Sequence, residues 1–389
     1  MAESLTLSRR RLLQAAGVAG ASAFLATSRV SAQDATPAPA GGLANSGVFR
    51  MATWIGYMPT DESGVTFPDL DRFTAETGVQ VDYNESVEDN EGFYASDLRG
   101  PLEAGVGTGW DLVVLTDWMI QRLVSLGWLE RINTAAMASF PANLEDIYRN
   151  PTWDPDNTLA APYQSGMTGP GFDLNKTGEV TSLDVFYTDQ FGGQLTYQSE
   201  MHDTIGLTAL YQGVDPATLT QEQFDAALGV VRTAVDSGIV RRVTGNSYVE
   251  DMANGDVVVA MAWSGDVTSL LVPDQTPEQD FQWRLADQGG MIWTDMMAIP
   301  LGAEFKAQAE TFIDWYYRPE NAASIEAYVN YVCPVKGAAE AMLAIDPALA
   351  ENPLIFPTEE MRARLHTFIV LDPDADAVWQ QAFAEVIGL

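Results

Sequence analysis

The sequence predicts an α/β protein of two domains built from discontinuous segments, with a ligand cleft between them. Three observations carry that expectation. Strand and helix patterns alternate from residue 49 to residue 126, the order that builds a parallel sheet. A turn-rich stretch at 152–175, with Pro155, Pro162, Gly166, Gly169, Pro170 and Gly171, marks a crossover. After a second α/β segment, a strand at 296–300 begins a return. A chain that crosses twice has a hinge, and in open α/β sheets ligands sit beyond the carboxyl ends of strands.

The elements follow in order. Residues 49–54 form a first strand that runs into Ile55, Gly56 and Tyr57. A helix spans 68–77, with Leu70 and Phe73 inward and Gly78 as its stop. Residues 79–83 alternate as a strand, and 111–116 are a short apolar strand of the buried parallel kind. Asp117 opens a helix through Leu126. In the second segment a helix runs over 200–211 with Ser199 as N-cap. Another follows Thr220, which makes a capping box with Gln223. A strand at 257–262 closes that segment, and helices lie near 307–317 and 320–330.

Composition narrows the function. Asp+Glu number 54 against 20 Lys+Arg, a net charge of −34, which leaves no basic footprint for nucleic-acid phosphates. Residues 1–32 carry Arg9, Arg10 and Arg11 before an alanine-rich apolar run and end on Val30-Ser31-Ala32. That reads as an export signal of the twin-arginine type, with an ordinary Sec signal as the alternative, and its apolar run is too short to remain as a membrane span. Residues 33–46 read as a flexible linker. The single cysteine, Cys333, lies far from the cleavage site and can form no intramolecular disulfide. The mature chain is expected outside the cytoplasmic membrane, periplasmic or extracellular, as a monomer without cofactor.

Catalytic and metal motifs fail in turn. His202 and His366 lack partners at ligand spacing, so no metal site is expected. No Gly-x-Ser-x-Gly elbow occurs, and no lysine follows a glycine as a Walker A loop requires. The stretch 105–110 is glycine-rich but follows no strand, and reads as a loop. Asp372, Asp374 and Asp376 begin like a calcium loop, yet Ala377 and Phe383 stand where glycine and glutamate belong, and a solvated turn is expected. A secreted carbohydrate hydrolase using two of the many acids remains an alternative.

The binding signal lies between residues 261 and 300. Trp263 precedes Asp266, and Trp293 precedes Asp295, each near a strand end. An indole face attracts a cation and a carboxylate pairs with it, so two such pairs suit an organic cation. As plain structure they would be core indoles and turn acids. Glu200 and Asp203 share one helix face, where the helix dipole alone would also favour acids.

Six stretches then agree with one family in order: 111–118 (DLVVLTDW), 126–132 (LGWLERI), 261–266 (MAWSGD), 290–300 (GMIWTDMMAIP), 318–320 (RPE) and 330–334 (NYVCP). From about residue 49 to 339 the chain resembles the bacterial spermidine/putrescine-binding proteins of ABC importers. That resemblance implies a two-lobed periplasmic-binding-protein type II fold. The expected lobes are 47–160 with 289–335 and 161–288, and residues 336–389 form a C-terminal helical segment on them. It also implies a polyamine ligand, a permease partner and no catalysis. By position it assigns Trp54, Tyr57, Thr116, Trp118, Glu200, Asp203, Trp263, Asp266, Trp293, Asp295 and Tyr331 to the ligand. Ile55 and Gly56 depart from the family, where a polar or acidic residue is common. A quaternary amine, an opine or a sugar is the alternative ligand for the same fold.

Physics supports a diammonium alkane. Each ammonium needs a carboxylate on leaving water, and each buried CH₂ contributes about 0.8 kcal/mol. Crowded carboxylates repel, which raises their pKa values, so affinity is expected to fall on acidification.

Overall fold

A computed structural model describes residues 43–61, 64–272 and 275–388. The export segment at 1–32 and most of the linker at 33–46 lie outside the described residues. Along the chain the principal elements are β1 (Gly47–Trp54), α1 (Pro68–Thr77), β2 (Val79–Val87), β3 (Leu112–Thr116), α2 (Asp117–Leu126) and β4 (Ala160–Asp173). Then come β5 (Leu195–Gln198), α3 (Met201–Tyr211), α4 (Gln221–Asp236), β6 (Val240–Thr244), β7 (Val259–Trp263), β8 (Phe281–Trp283) and β9 (Gly290–Ala298). The chain ends through α5 (Lys306–Tyr316), α6 (Pro319–Val329), β10 (Leu365–His366) and α7 (Pro373–Ile387).

The chain divides into two compact units. Among the described residues, the first takes 43–163, 295–329 and 333–350; the second takes 164–294, 330–332 and 351–388. The boundaries near 160 and 288 thus fall a few residues later, inside β4 and β9. The C-terminal stretch 336–389, expected as one segment, splits after residue 350.

In the first unit β1 lies between β2 and β3, parallel to both, and β9 joins β3 antiparallel. Helices α1 and α2 keep the bounds that sequence predicts, because each ends on a glycine whose positive φ stops it: 75° at Gly78 and 70° at Gly127. Phe73 of α1 packs edge-on against Phe49, Phe312 and Trp315. A second cluster joins Ala52, Val113, Leu115, Met119, Ile120 and Leu123 beneath α2.

In the second unit β7 pairs antiparallel with β4 and parallel with β5, which pairs parallel with β6. The capping box of Thr220 and Gln223 forms as expected at the start of α4. Helix α3 is buried nearly all round, so it is core rather than surface. Trp379 of α7 stacks on Phe224 of α4 at 4.1 Å, which ties the chain's end to this unit.

Several expectations need correction. The proline- and glycine-rich stretch is not a run of turns: residues 160–173 form the buried strand β4. Its glycines answer to close packing. A Cβ on Gly166 would lie 2.2 Å from the Trp293 ring, one on Gly169 2.9 Å from Trp283, and one on Gly171 2.6 Å from the Ala262 Cβ. Glu200, not Ser199, is the N-cap of α3, with no side-chain capping bond. Asp372 does not head a solvated turn. It caps α7 by accepting from the N–H groups of Asp374 and Asp376's neighbour Ala375. The strands expected at 257–262 and 296–300 are β7 and β9, displaced toward 259–263 and 290–298.

Candidate functional site

In the first unit, antiparallel pairing of β3 with β9 sets Thr116 opposite Asp295. The Thr116 hydroxyl donates to Asp295 Oδ1 at 2.7 Å, and the Tyr57 hydroxyl donates to Oδ2 at 2.5 Å. The carboxylate is 2% exposed. Asn90 locks the arrangement: its Oδ1 accepts from the Thr116 N–H at 3.0 Å and its Nδ2 donates to the Thr116 hydroxyl at 2.9 Å. The loop after β1 is held by the Tyr163 hydroxyl, which donates to the Tyr57 carbonyl at 2.8 Å. Gly56 in that loop has φ 72°, and its N–H donates to Glu85 Oε1 at 2.7 Å. The backbone geometry therefore accounts for the missing side chain at 56. Trp54 is half-buried against the cluster around α2, and its Nε1 has no hydrogen-bond partner among the described residues.

In the second unit two buried carboxylates, Asp203 and Asp266, stand beside aromatic rings. Asp203 Oδ1 accepts from the Thr168 hydroxyl at 2.6 Å, and Oδ2 accepts from the Trp263 indole N–H at 2.9 Å. Thr168 in turn accepts from the Trp293 indole N–H at 3.1 Å. One hydroxyl and one carboxylate thus fix the planes of two indoles, whose rings stand 6.1 Å apart at 72°. Tyr331 continues the aromatic wall, 5.4 Å from Trp293. Asp266 accepts from Asn246 at 2.9 Å and from the hydroxyls of Tyr248 and Tyr331, each at 3.0 Å. Gly265 lets Tyr331 approach: a Cβ there would lie 2.6 Å from its ring.

Burial governs the electrostatics. Desolvation pushes the Asp203 carboxyl up to about 6, and its bonds from Thr168 and Trp263 only partly oppose that. For Asp203 the cause is burial and not repulsion from neighbouring acids. Burial, with Asp266 alongside, holds the Tyr248 hydroxyl well above its ordinary range, so it stays a donor. Among the described residues no group of His, Cys, Asp and Glu side chains is set to hold a metal ion, and no helix is long and apolar enough to cross a membrane.

Residues 70–357 match the family of bacterial extracellular solute-binding proteins. The chain belongs to that family. This solute-binding protein is 28% identical over 332 residues to the putrescine-binding periplasmic protein PotF of Escherichia coli, covering 81% of this chain and 86% of that one. It is 25% identical over 354 residues to the putrescine-binding periplasmic protein SpuD of Pseudomonas aeruginosa, covering 87% and 90%. The crystal structure of the spermidine/putrescine substrate-binding protein PotD of Streptococcus pneumoniae superposes with a TM-score of 0.70 at 19% identity, over 88% of this chain and 98% of that one. The fold expected from sequence, an α/β protein of the periplasmic-binding-protein type, is borne out.

The solute-binding protein gathers the expected residues into clusters, with different pairings. Trp263 bonds through its indole N–H to Asp203 and Trp293 to Thr168, rather than to the aspartates that follow each in sequence. Asp295 lies in the first unit with Tyr57 and Thr116, whereas Trp293 lies in the second with Trp263, Asp266 and Tyr331. Asp203 is drawn into the cluster and Glu200 is left as a half-buried cap. Trp118 is half-buried beside Arg122. Sequence reasoning missed Asn90, Thr168, Asn246 and Tyr248. Nothing local marked them, and Thr168 sat within the stretch misread as turns.

Proposed function

We propose that this solute-binding protein captures a polyamine, putrescine or spermidine, outside the cytoplasmic membrane and delivers it unchanged to the permease of an ABC importer. One observation carries the reading. Asp203, fully buried and costly to ionise, sits in a wall of Trp263, Trp293 and Tyr331 with its carboxylate already aimed by two donors. A cation repays that desolvation, and indole faces suit both an ammonium and the methylenes beside it. Asp295, oriented by Tyr57 and Thr116, supplies the same chemistry for a second ammonium. Trp54, Asp266 and Glu200 complete the proposed ligand-facing set, and Trp118 lies at its edge beside Arg122. The relatives' names agree, since PotF and SpuD are named for putrescine. Export through the twin-arginine route, monomeric action and the absence of turnover belong to the same proposal.

Calorimetry with putrescine, spermidine, betaine, an opine and simple sugars tests it. Saturable one-site binding of a diamine or triamine, recovered intact, is the expected result. Tight binding of a sugar or opine with no response to amines would replace the polyamine, and release of a cleaved glycan would replace the whole reading.

A further inference from the structure

Trp118 already carries a cation. Arg122, one turn on along α2, holds its guanidinium 5.4 Å from the Trp118 ring centre and 5.2 Å from that of Tyr94. Its Nη1 and Nη2 donate to the two oxygens of Glu91 at 2.9 and 2.6 Å. The arginine side chain is only 10% exposed, whereas Glu91 is 45% exposed. Two aromatic rings, a carboxylate and a buried cation between them are the parts that any ammonium site needs. The box is also wired to Asp295. Glu91 follows Asn90, Asn90 bonds twice to Thr116, and Thr116 bonds to Asp295.

We infer that Glu91, Tyr94 and Trp118 form an ammonium subsite that the protein fills with its own Arg122, so that the chain accepts a short diamine and rejects a longer triamine. The inference rests on the polyamine reading above and sharpens it. An ammonium arriving at the box meets a like charge and finds both carboxylate oxygens bonded. Arginine stays charged at any working pH, so loss of its proton does not open the subsite. Removing the guanidinium frees both Glu91 oxygens, and that carboxylate is half in water.

Calorimetry of the full chain with putrescine and with spermidine tests this on wild type, Arg122→Met, Arg122→Gln and the double variant Arg122→Met with Glu91→Gln. Methionine keeps much of the buried volume, and glutamine serves if the methionine variant melts early. Wild type is expected to prefer putrescine. Either single variant should shift the affinity ratio toward spermidine by at least about tenfold, the gain of one paired ammonium. Adding Glu91→Gln should abolish that gain. A ratio within about threefold of wild type in a folded variant, or a wild type that prefers spermidine, overturns the inference while leaving polyamine capture intact. A wild type that binds neither amine overturns both.

Discussion

The indole N–H of Trp263 donates to Asp203 across 2.9 Å, although 60 residues separate the two in sequence. The bond turns a tryptophan at a strand end and an acid in the first turn of α3 into one unit. It holds the ring plane and aims the carboxylate before any ligand arrives. Such preorganisation lowers the ordering cost of binding.

Asp203 should make the empty protein less stable as pH rises. Its folded-state pKa is about 6 against an ordinary 3.8. The stabilising contribution is therefore fully present below about pH 4 and lost as pH climbs through about 6, a swing on the order of 3 kcal/mol. Urea unfolding of Asp203→Asn at pH 4.5 and 7 should show most of this slope removed. A variant as pH-sensitive as wild type over that interval would assign the slope to other groups.

Ligand affinity should fall on acidification through the same interval. A bound ammonium favours the charged carboxylate, so below about pH 6 binding must expel a proton from Asp203. Calorimetry with putrescine at pH 5 and 7, in buffers of different ionisation enthalpy, should detect that release. Equal affinity at the two values would remove Asp203 from the ligand.

Asp295→Asn should weaken polyamine binding by about 2 kcal/mol or more, as for one partner lost from a buried charge pair. Tyr57→Phe removes only one donor to the same carboxylate and should cost about 0.5–1.5 kcal/mol. Dissociation constants for the two variants, set side by side, check the order. A larger loss in the phenylalanine variant would contradict the assignment.

Gly166→Ala tests the indole wall from behind. The added Cβ would lie 2.2 Å from Trp293 Cζ2, so the ring must move. Overpacking of this kind costs about 1–3 kcal/mol. The melting temperature should drop, the tryptophan emission should shift, and putrescine affinity should weaken. Unchanged emission and affinity would detach Trp293 from the ligand.

Local signals read well where local physics decides. Gly78 and Gly127 end their helices through positive φ, and Thr220 caps its helix with Gln223, so those bounds were legible. Ser199 failed as a cap because the helix starts one residue later, with Glu200 at its head. The stretch around Gly166, Gly169 and Pro170 failed for a different reason. Glycine signals a turn and a close approach alike, and only the indoles packed on β4 reveal which.

By itself the sequence determined the alternation of strands and helices, the excess of acids, and the aromatic and acidic residues set near strand ends. These follow from side-chain chemistry and from spacing along the chain. Tertiary structure alone decided the partners: Asp203 with Trp263, Asp295 with Tyr57 and Thr116, and Arg122 over Trp118. Strand register and burial set those distances and the raised Asp203 pKa, and neither quantity exists until distant segments pack.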